Sequence, residues 1–210
     1  MSPLPHTPSR LIISCFALMV TAYGMPTATA GPEPRTHDGF FLRMSTGPGY
    51  ASAKFDFSNG DELELHGAGG SFRLDIGGRI GAGTLLYGTL GTVSVGDPEV
   101  KSGDVQFTLG GADATVTDIG IGLSHYFTPS NFFIGGAFGF YGDDVTAGNT
   151  KLESDTGVGL MLTAGKEWWI SNNWALGASL FLSGSRINSS ADDGTIRNGI
   201  AGVSFSATYN

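Results

Sequence analysis

Between residues 157 and 168 the chain alternates. Val158, Leu160, Leu162, Ala164 and Trp168 fall on one parity, and Gly157, Gly159, Thr163, Gly165 and Glu167 on the other. A period of two places alternate side chains on opposite faces of a β-strand. The next stretch repeats it, with Trp174, Leu176, Ala178, Leu180 and Leu182 against Ala175, Gly177, Ser179, Ser183 and Ser185. The same pattern predicts eight strands, at 39–50, 69–81, 84–96, 114–127, 131–142, 155–170, 173–186 and 196–209. The third is ambiguous, because Leu86 and Leu90 compete with Leu85, Tyr87, Val93 and Val95 for the apolar face. Long helical patterns are absent.

The links alternate in length. Ala82-Gly83, Thr128-Pro129-Ser130 and Ser171-Asn172-Asn173 are short, whereas 51–68, 97–113, 143–154 and 187–195 are long. Successive antiparallel connections lie at opposite ends of a sheet. One end therefore carries tight turns and both termini, and the other carries the long loops.

Alternation alone does not say which face is wet. A water-soluble barrel turns its apolar face inward, and a membrane barrel turns it outward to lipid. The polar face decides. A water-facing strand surface normally carries Lys, Glu, Thr and Arg, yet here it is mostly Gly, Ser, Ala and Thr. The chain holds 34 glycines in 210 residues without a collagen period. Small residues suit a narrow, filled lumen, and the expected fold is an all-β, closed, antiparallel, eight-stranded up-and-down transmembrane barrel. Trp168, Trp174, Phe127, Phe132 and Tyr209 then fall beside the tight turns, as an interfacial aromatic belt does. Tyr126 and Phe133 flank the same turns, and Tyr50, Phe140 and Tyr141 are expected at the opposite rim.

Residues 1–30 read as a secretory signal: Arg10, an apolar run of h-region length, then Ala28-Thr29-Ala30 as a small-x-small cleavage site. Residues 31–38 are then a periplasmic segment and 39–210 the barrel. Cleavage removes Cys15, the one cysteine, and with it all disulfide chemistry. The net charge of −8 and the lack of basic clusters speak against nucleic acid.

With its signal peptide, its eight alternating strands, its unequal links and a last strand, Gly202-Val-Ser-Phe-Ser-Ala-Thr-Tyr-Asn210, that ends in an aromatic, the chain resembles the small outer-membrane β-barrels of Gram-negative bacteria, the OmpA- and OmpX-like size class. The resemblance implies residence in the outer membrane, contact with its lipids and lipopolysaccharide, and insertion by the barrel-assembly machinery. Members usually end in Phe, whereas this chain ends Tyr209-Asn210. A monomer is expected, with no cofactor, no metal and no catalytic residues. The role expected is structural or surface-interactive, with a narrow channel, a lipid A-modifying enzyme and a secreted lipocalin-like ligand binder as alternatives.

Charges on the inner parity are Arg43, Arg73, Asp75, Arg79, Asp118 and Glu167. Isolated buried charges are costly, so Arg–carboxylate pairing across the lumen is expected. The long loops are acidic, with Lys54, Lys101 and Lys151 as basic partners, and no calcium-hand spacing. Enzymes of this size class use a His, a Ser and an acid near the rim. Here His66, Ser58, Ser102 and Asp104 lie in loops, His125 stands beside Ser124, and His37 precedes the first strand, with no motif joining them.

Overall fold

An extended strand cannot satisfy its own N–H and C=O groups, and only closure removes the last unpaired edge. The computed structural model of the protein describes residues 35–37, 39–57, 60–188 and 194–210. The predicted signal, 1–30, lies outside them. Eight long strands, β1 (Phe40–Asp56), β2 (Glu62–Gly81), β3 (Thr84–Gly96), β6 (Ala112–Phe127), β7 (Phe132–Ala147), β9 (Gly157–Trp169), β10 (Trp174–Asn188) and β11 (Thr195–Tyr209), each pair antiparallel with the next. β11 returns to β1, from Leu42↔Tyr209 to Asp56↔Thr195, which closes an eight-stranded up-and-down barrel.

Three short strands, β4 (Glu99–Ser102), β5 (Val105–Thr108) and β8 (Thr150–Glu153), lie where long loops are expected. β4 and β5 form a hairpin that pairs with β2 at Glu64↔Lys101, and β8 folds back on β7 at Asp144↔Glu153. Three long strands also outrun the expected boundaries. β1 continues to Asp56, β2 begins at Glu62, and β7 extends to Ala147. Their extra residues are polar on the outer face, so the hydrophobic pattern stops before the backbone pairing does.

The tight turns have the required chemistry: Gly83 has φ +67° and Asn131 φ +55°, and the Thr128–Pro129 peptide is cis. The β2–β3 register shifts between Arg79 and Gly81. Arg79, expected in the lumen, is exposed there instead, with its Nε donating to the Gly81 carbonyl at 3.1 Å. It sits at the tight-turn end of β2, next to the register shift.

The barrel is inside out. Leu160, Leu162, Leu180, Leu182 and Phe205 are each more than 60% exposed, whereas Asp75, Glu167 and Thr208 are at most 1% exposed. The lumen is not filled by small residues alone. Phe41, Leu85, Tyr87, Tyr126 and Phe133 pack together toward the tight-turn end. Ala51, Val93, Val95, Val116, Tyr141, Phe181 and Ile200 pack toward the loops. The ambiguity in β3 resolves accordingly: Leu85, Tyr87, Val93 and Val95 point inward and Leu90 outward. The inward rings need empty positions opposite them. Tyr87 is paired with Gly122, where a Cβ would collide with the tyrosine ring. Part of the glycine content is thus the complement of these rings.

Candidate functional site

Between the two apolar clusters lies a charged layer. Arg43 on β1 and Asp75 on β2 are register partners, so their side chains enter the lumen side by side. Asp75 Oδ2 accepts from Arg43 Nε at 2.9 Å and from Nη2 at 2.7 Å, and Arg43 is 4% exposed. The guanidinium also stands 4.9–5.7 Å from the ring centroids of Phe41, Tyr87 and Phe133, a cation–π box that offsets part of its desolvation.

Arg73 on β2 makes a bidentate pair with Asp118 on β6, both contacts at 2.8 Å. β3 runs between them, and its register partner to both is Gly91. A Cβ there would sit 2.5 Å from the Arg73 Nη2 and 2.6 Å from Asp118 Oδ1. Glycine is what lets the ion pair bridge over the intervening strand.

Thr89 links the two pairs, accepting from Arg73 at 2.9 Å and donating to Asp75 at 2.7 Å. Glu167 on β9 accepts from Tyr126 at 3.0 Å and from Thr208 at 2.7 Å, and Arg43 Nη1 lies 3.5 Å from the Tyr126 hydroxyl. Arg43, Arg73, Asp75, Asp118 and Glu167 thus belong to one polar chain drawn from β1, β2, β3, β6, β9 and β11.

The aromatics divide by parity. Trp168, Trp174, Phe127 and Phe132 are exposed on the outer face at the tight-turn end, and Tyr209, half-buried, meets Trp174 edge-on at 5.3 Å. Lys166 Nζ stands 5.8 Å from the Trp168 ring. Tyr126, Phe133 and Tyr141 have the inner parity and are at most 2% exposed, so they are lumen residues and not rim residues.

His37 has a place that sequence reasoning gave it no reason to occupy. It is 7% exposed, with Nδ1 2.9 Å from Asn210 Oδ1 and Nε2 2.8 Å from Asn131 Oδ1. Its ring lies 3.7 Å from that of Tyr126 and 5.1 Å from that of Trp169. Arg35 N donates to the Asn172 carbonyl at 2.8 Å. The segment before β1 therefore caps the tight-turn end of the lumen. No periodicity marks a lone histidine outside a strand.

The other histidines contact different partners. His66 Nε2 is 3.2 Å from Glu99, and His125 meets Thr84 Oγ1 at 3.0 Å on the outer face. Ser58 lies outside the described residues. Among the described residues no group of three or more His, Cys, Asp or Glu side chains is arranged to hold a metal. Lys54 pairs with Glu62 at 2.8 Å, Lys151 with Glu153 at 2.7 Å, and Arg197, on β11, approaches Asp56 at 3.1 Å.

Asp143 closes the lumen at the loop end, three residues beyond Phe140, the last large apolar residue on the outer face of β7. Asn198 Nδ2 donates to both carboxylate oxygens, at 2.8 and 2.9 Å, and among the described residues no cation pairs with the carboxylate. Burial therefore pushes the carboxyl up to about 6, against the hydrogen bonds from Asn198. The folded state holds this proton where the unfolded chain, titrating near 3.9, has lost it. Stability contributed by the site falls as pH rises from about 4 to 6 and is flat above, by an order of 2–3 kcal/mol at 1.36 kcal/mol per unit. Urea midpoints in detergent at pH 4 to 7 measure this slope, and Asp143→Asn is expected to reduce it.

Among solved structures, the chain is similar to Neisserial surface protein A at 19% identity and a TM-score of 0.49, over 79% of this chain and 95% of that one. It is similar to OprG from Pseudomonas aeruginosa at 13% identity and 0.48, over 83% and 98%. It is similar to Ail, the attachment invasion locus protein of Yersinia pestis, at 13% and 0.39, over 80% and 99%. No family model matches the chain, and no curated protein matches it. What the barrel does must be argued from its own geometry.

Proposed function

We propose that the protein is an integral barrel of the Gram-negative outer membrane, with its tight turns in the periplasm, its acidic loops outside, and a structural or surface-interactive role. The observation that carries this reading is the inverted burial. Leucines on β9 and β10, with Phe132, Phe138 and Phe140 on β7 and Phe205 on β11, face outward, while paired charges lie in the interior. Water rejects the first surface, and hydrocarbon accepts it because closure leaves no backbone group unpaired. The aromatics at the tight-turn end support the same reading, since such rings favour the interface.

The lumen argues for a plug over a channel. Eight strands leave room for side chains and little else, and here ion pairs, two apolar clusters and the His37 cap occupy that room. The reading is therefore non-conducting and non-catalytic, with function exercised at the loops and at the lipid-facing wall. Fractionation with heat-dependent gel migration tests it: the protein should partition with outer membranes and migrate faster unboiled. Planar-bilayer recordings should show no defined conductance steps. Recovery in the soluble periplasmic fraction would reject the membrane, and steady unitary currents would reject the plug.

A further inference from the structure

The lumen does not close flush at its loop end. β1, β2, β3, β6 and β7 leave a cavity of about 30 Å³ there, and Asp143 lines it. Ala51, Val116 and Asp143 are buried. Phe55, Ala114 and Val145, further along the same strands toward the loops, are half-buried. The cavity therefore opens toward the loops, and its walls are mostly apolar.

One group in these walls carries a charge without a countercharge. Asp143 is 8% exposed, and its carboxylate accepts from Asn198 Nδ2. A carboxylate has about four acceptor sites, so this amide leaves some of them open. Asn198 Oδ1 is also buried, and it accepts no hydrogen bond among the described residues. The nearby ionisable groups have partners of their own. Asp144 lies 3.6 Å from Lys151, and His66 lies 3.2 Å from Glu99. The lining residues of β1, β3 and β6 are uncharged, and β10 adds only the Ser185 hydroxyl at Asn198.

A single carboxylate in an apolar cavity selects its counterion. Calcium or magnesium needs about six oxygen ligands, and the apolar walls supply none of them. A guanidinium docks on both carboxylate oxygens at once, and Asn198 already holds both. A primary ammonium needs one open lone pair for each N–H it donates, and it brings a carbon chain to the walls. The volume agrees, since 30 Å³ is room for about two waters. That admits the ammonium head and its first methylene, with the rest of the chain against the half-buried rim. The net charge of −8 and the acidic loops raise the local concentration of cations.

We propose that the loop-side mouth of the lumen binds a small primary alkylammonium ion, with its N–H groups on Asp143 and its carbon chain against Val95, Val116 and Phe55. The site adds to the role proposed above and needs only the closed barrel. Binding requires the ionised carboxyl, which burial pushes up to about 6. Affinity should therefore rise about tenfold between about pH 5 and about pH 7.5, and level off above.

The protein is folded in a non-ionic micelle, where a heat-dependent gel shift reports the barrel. n-Butylammonium is then titrated in while NMR follows the Asn198 side-chain amide and the Val116 methyls. 1-Butanol supplies the chain without the charge, and tetramethylammonium the charge without an N–H. The butylammonium shifts should saturate, with an affinity at least about tenfold above that of either comparison. Asp143→Asn should weaken binding by about tenfold or more and abolish its pH dependence, with the gel shift retained. Ala114→Phe fills the cavity and leaves every charge in place, and it should weaken binding comparably. Asp144→Asn removes the neighbouring acid and should bind as the wild type does. Shifts that never saturate, equal affinity for the three probes, a flat pH profile in the wild type, or Asp143→Asn binding as the wild type does would each overturn the site.

Discussion

Asp75→Ala is expected to lower the stability of the folded barrel by about 3–5 kcal/mol, the range for removing one partner of a buried ion pair. The reason is what remains. Arg43 keeps its charge at 4% exposure, and Thr89 loses the acceptor it donates to at 2.7 Å. Phe41, Tyr87 and Phe133 around the guanidinium compensate only in part, since a cation–π contact contributes about 0.5–2 kcal/mol. Replacing both partners, as Arg43→Met with Asp75→Leu, removes the stranded charge and should recover most of the loss. Urea midpoints in detergent for the two variants check this. A double variant no more stable than Asp75→Ala would mean that the aromatic cluster, and not the missing countercharge, governs the site.

Eight strands, their parity and the alternating link lengths were legible because each is a local pattern repeated along the chain. The inner charges were legible for the same reason: Arg43, Asp75, Asp118 and Glu167 share parity with small residues on strands whose other face is greasy. Which charges pair was not legible. Arg43–Asp75 follows from β1–β2 register, and Arg73–Asp118 skips a strand through Gly91, which reads in sequence as one more glycine. The inward rings were misjudged because Tyr126, Phe133 and Tyr141 sit beside outward neighbours of the same chemistry, and a one-residue difference in parity sends each to the opposite face. Strand ends were underestimated wherever pairing outlasts the hydrophobic alternation, as in β1 beyond Tyr50 and in β2 before Gly69. His37 follows no period, so its insertion under Tyr126 is a purely tertiary fact.

Glu167→Ala should also destabilise the barrel, by several kcal/mol, from two sources. Truncation of a side chain at 1% exposure leaves a cavity in a packed interior. It also strands the Tyr126 and Thr208 hydroxyls, which donate to Glu167 at 3.0 and 2.7 Å, at about 1–3 kcal/mol for each buried group left without an acceptor. Glu167→Gln separates these sources from charge, because it keeps the volume and a carbonyl acceptor and loses only the carboxylate. The expected order of urea midpoints in detergent is wild type, then Gln within about 2 kcal/mol, then Ala. The loss should extend to the cap. Tyr126 is both a donor to Glu167 and the ring stacked on His37 at 3.7 Å, and the Glu167 backbone exchanges hydrogen bonds with Asn131 at 3.0 and 3.3 Å. In Glu167→Ala the 35–37 segment should therefore become cleavable by added protease under conditions where Glu167→Gln stays intact. Equal midpoints and equal cleavage for the two variants would show that the Tyr126–Glu167–Thr208 contacts do not hold the tight-turn end of the lumen together.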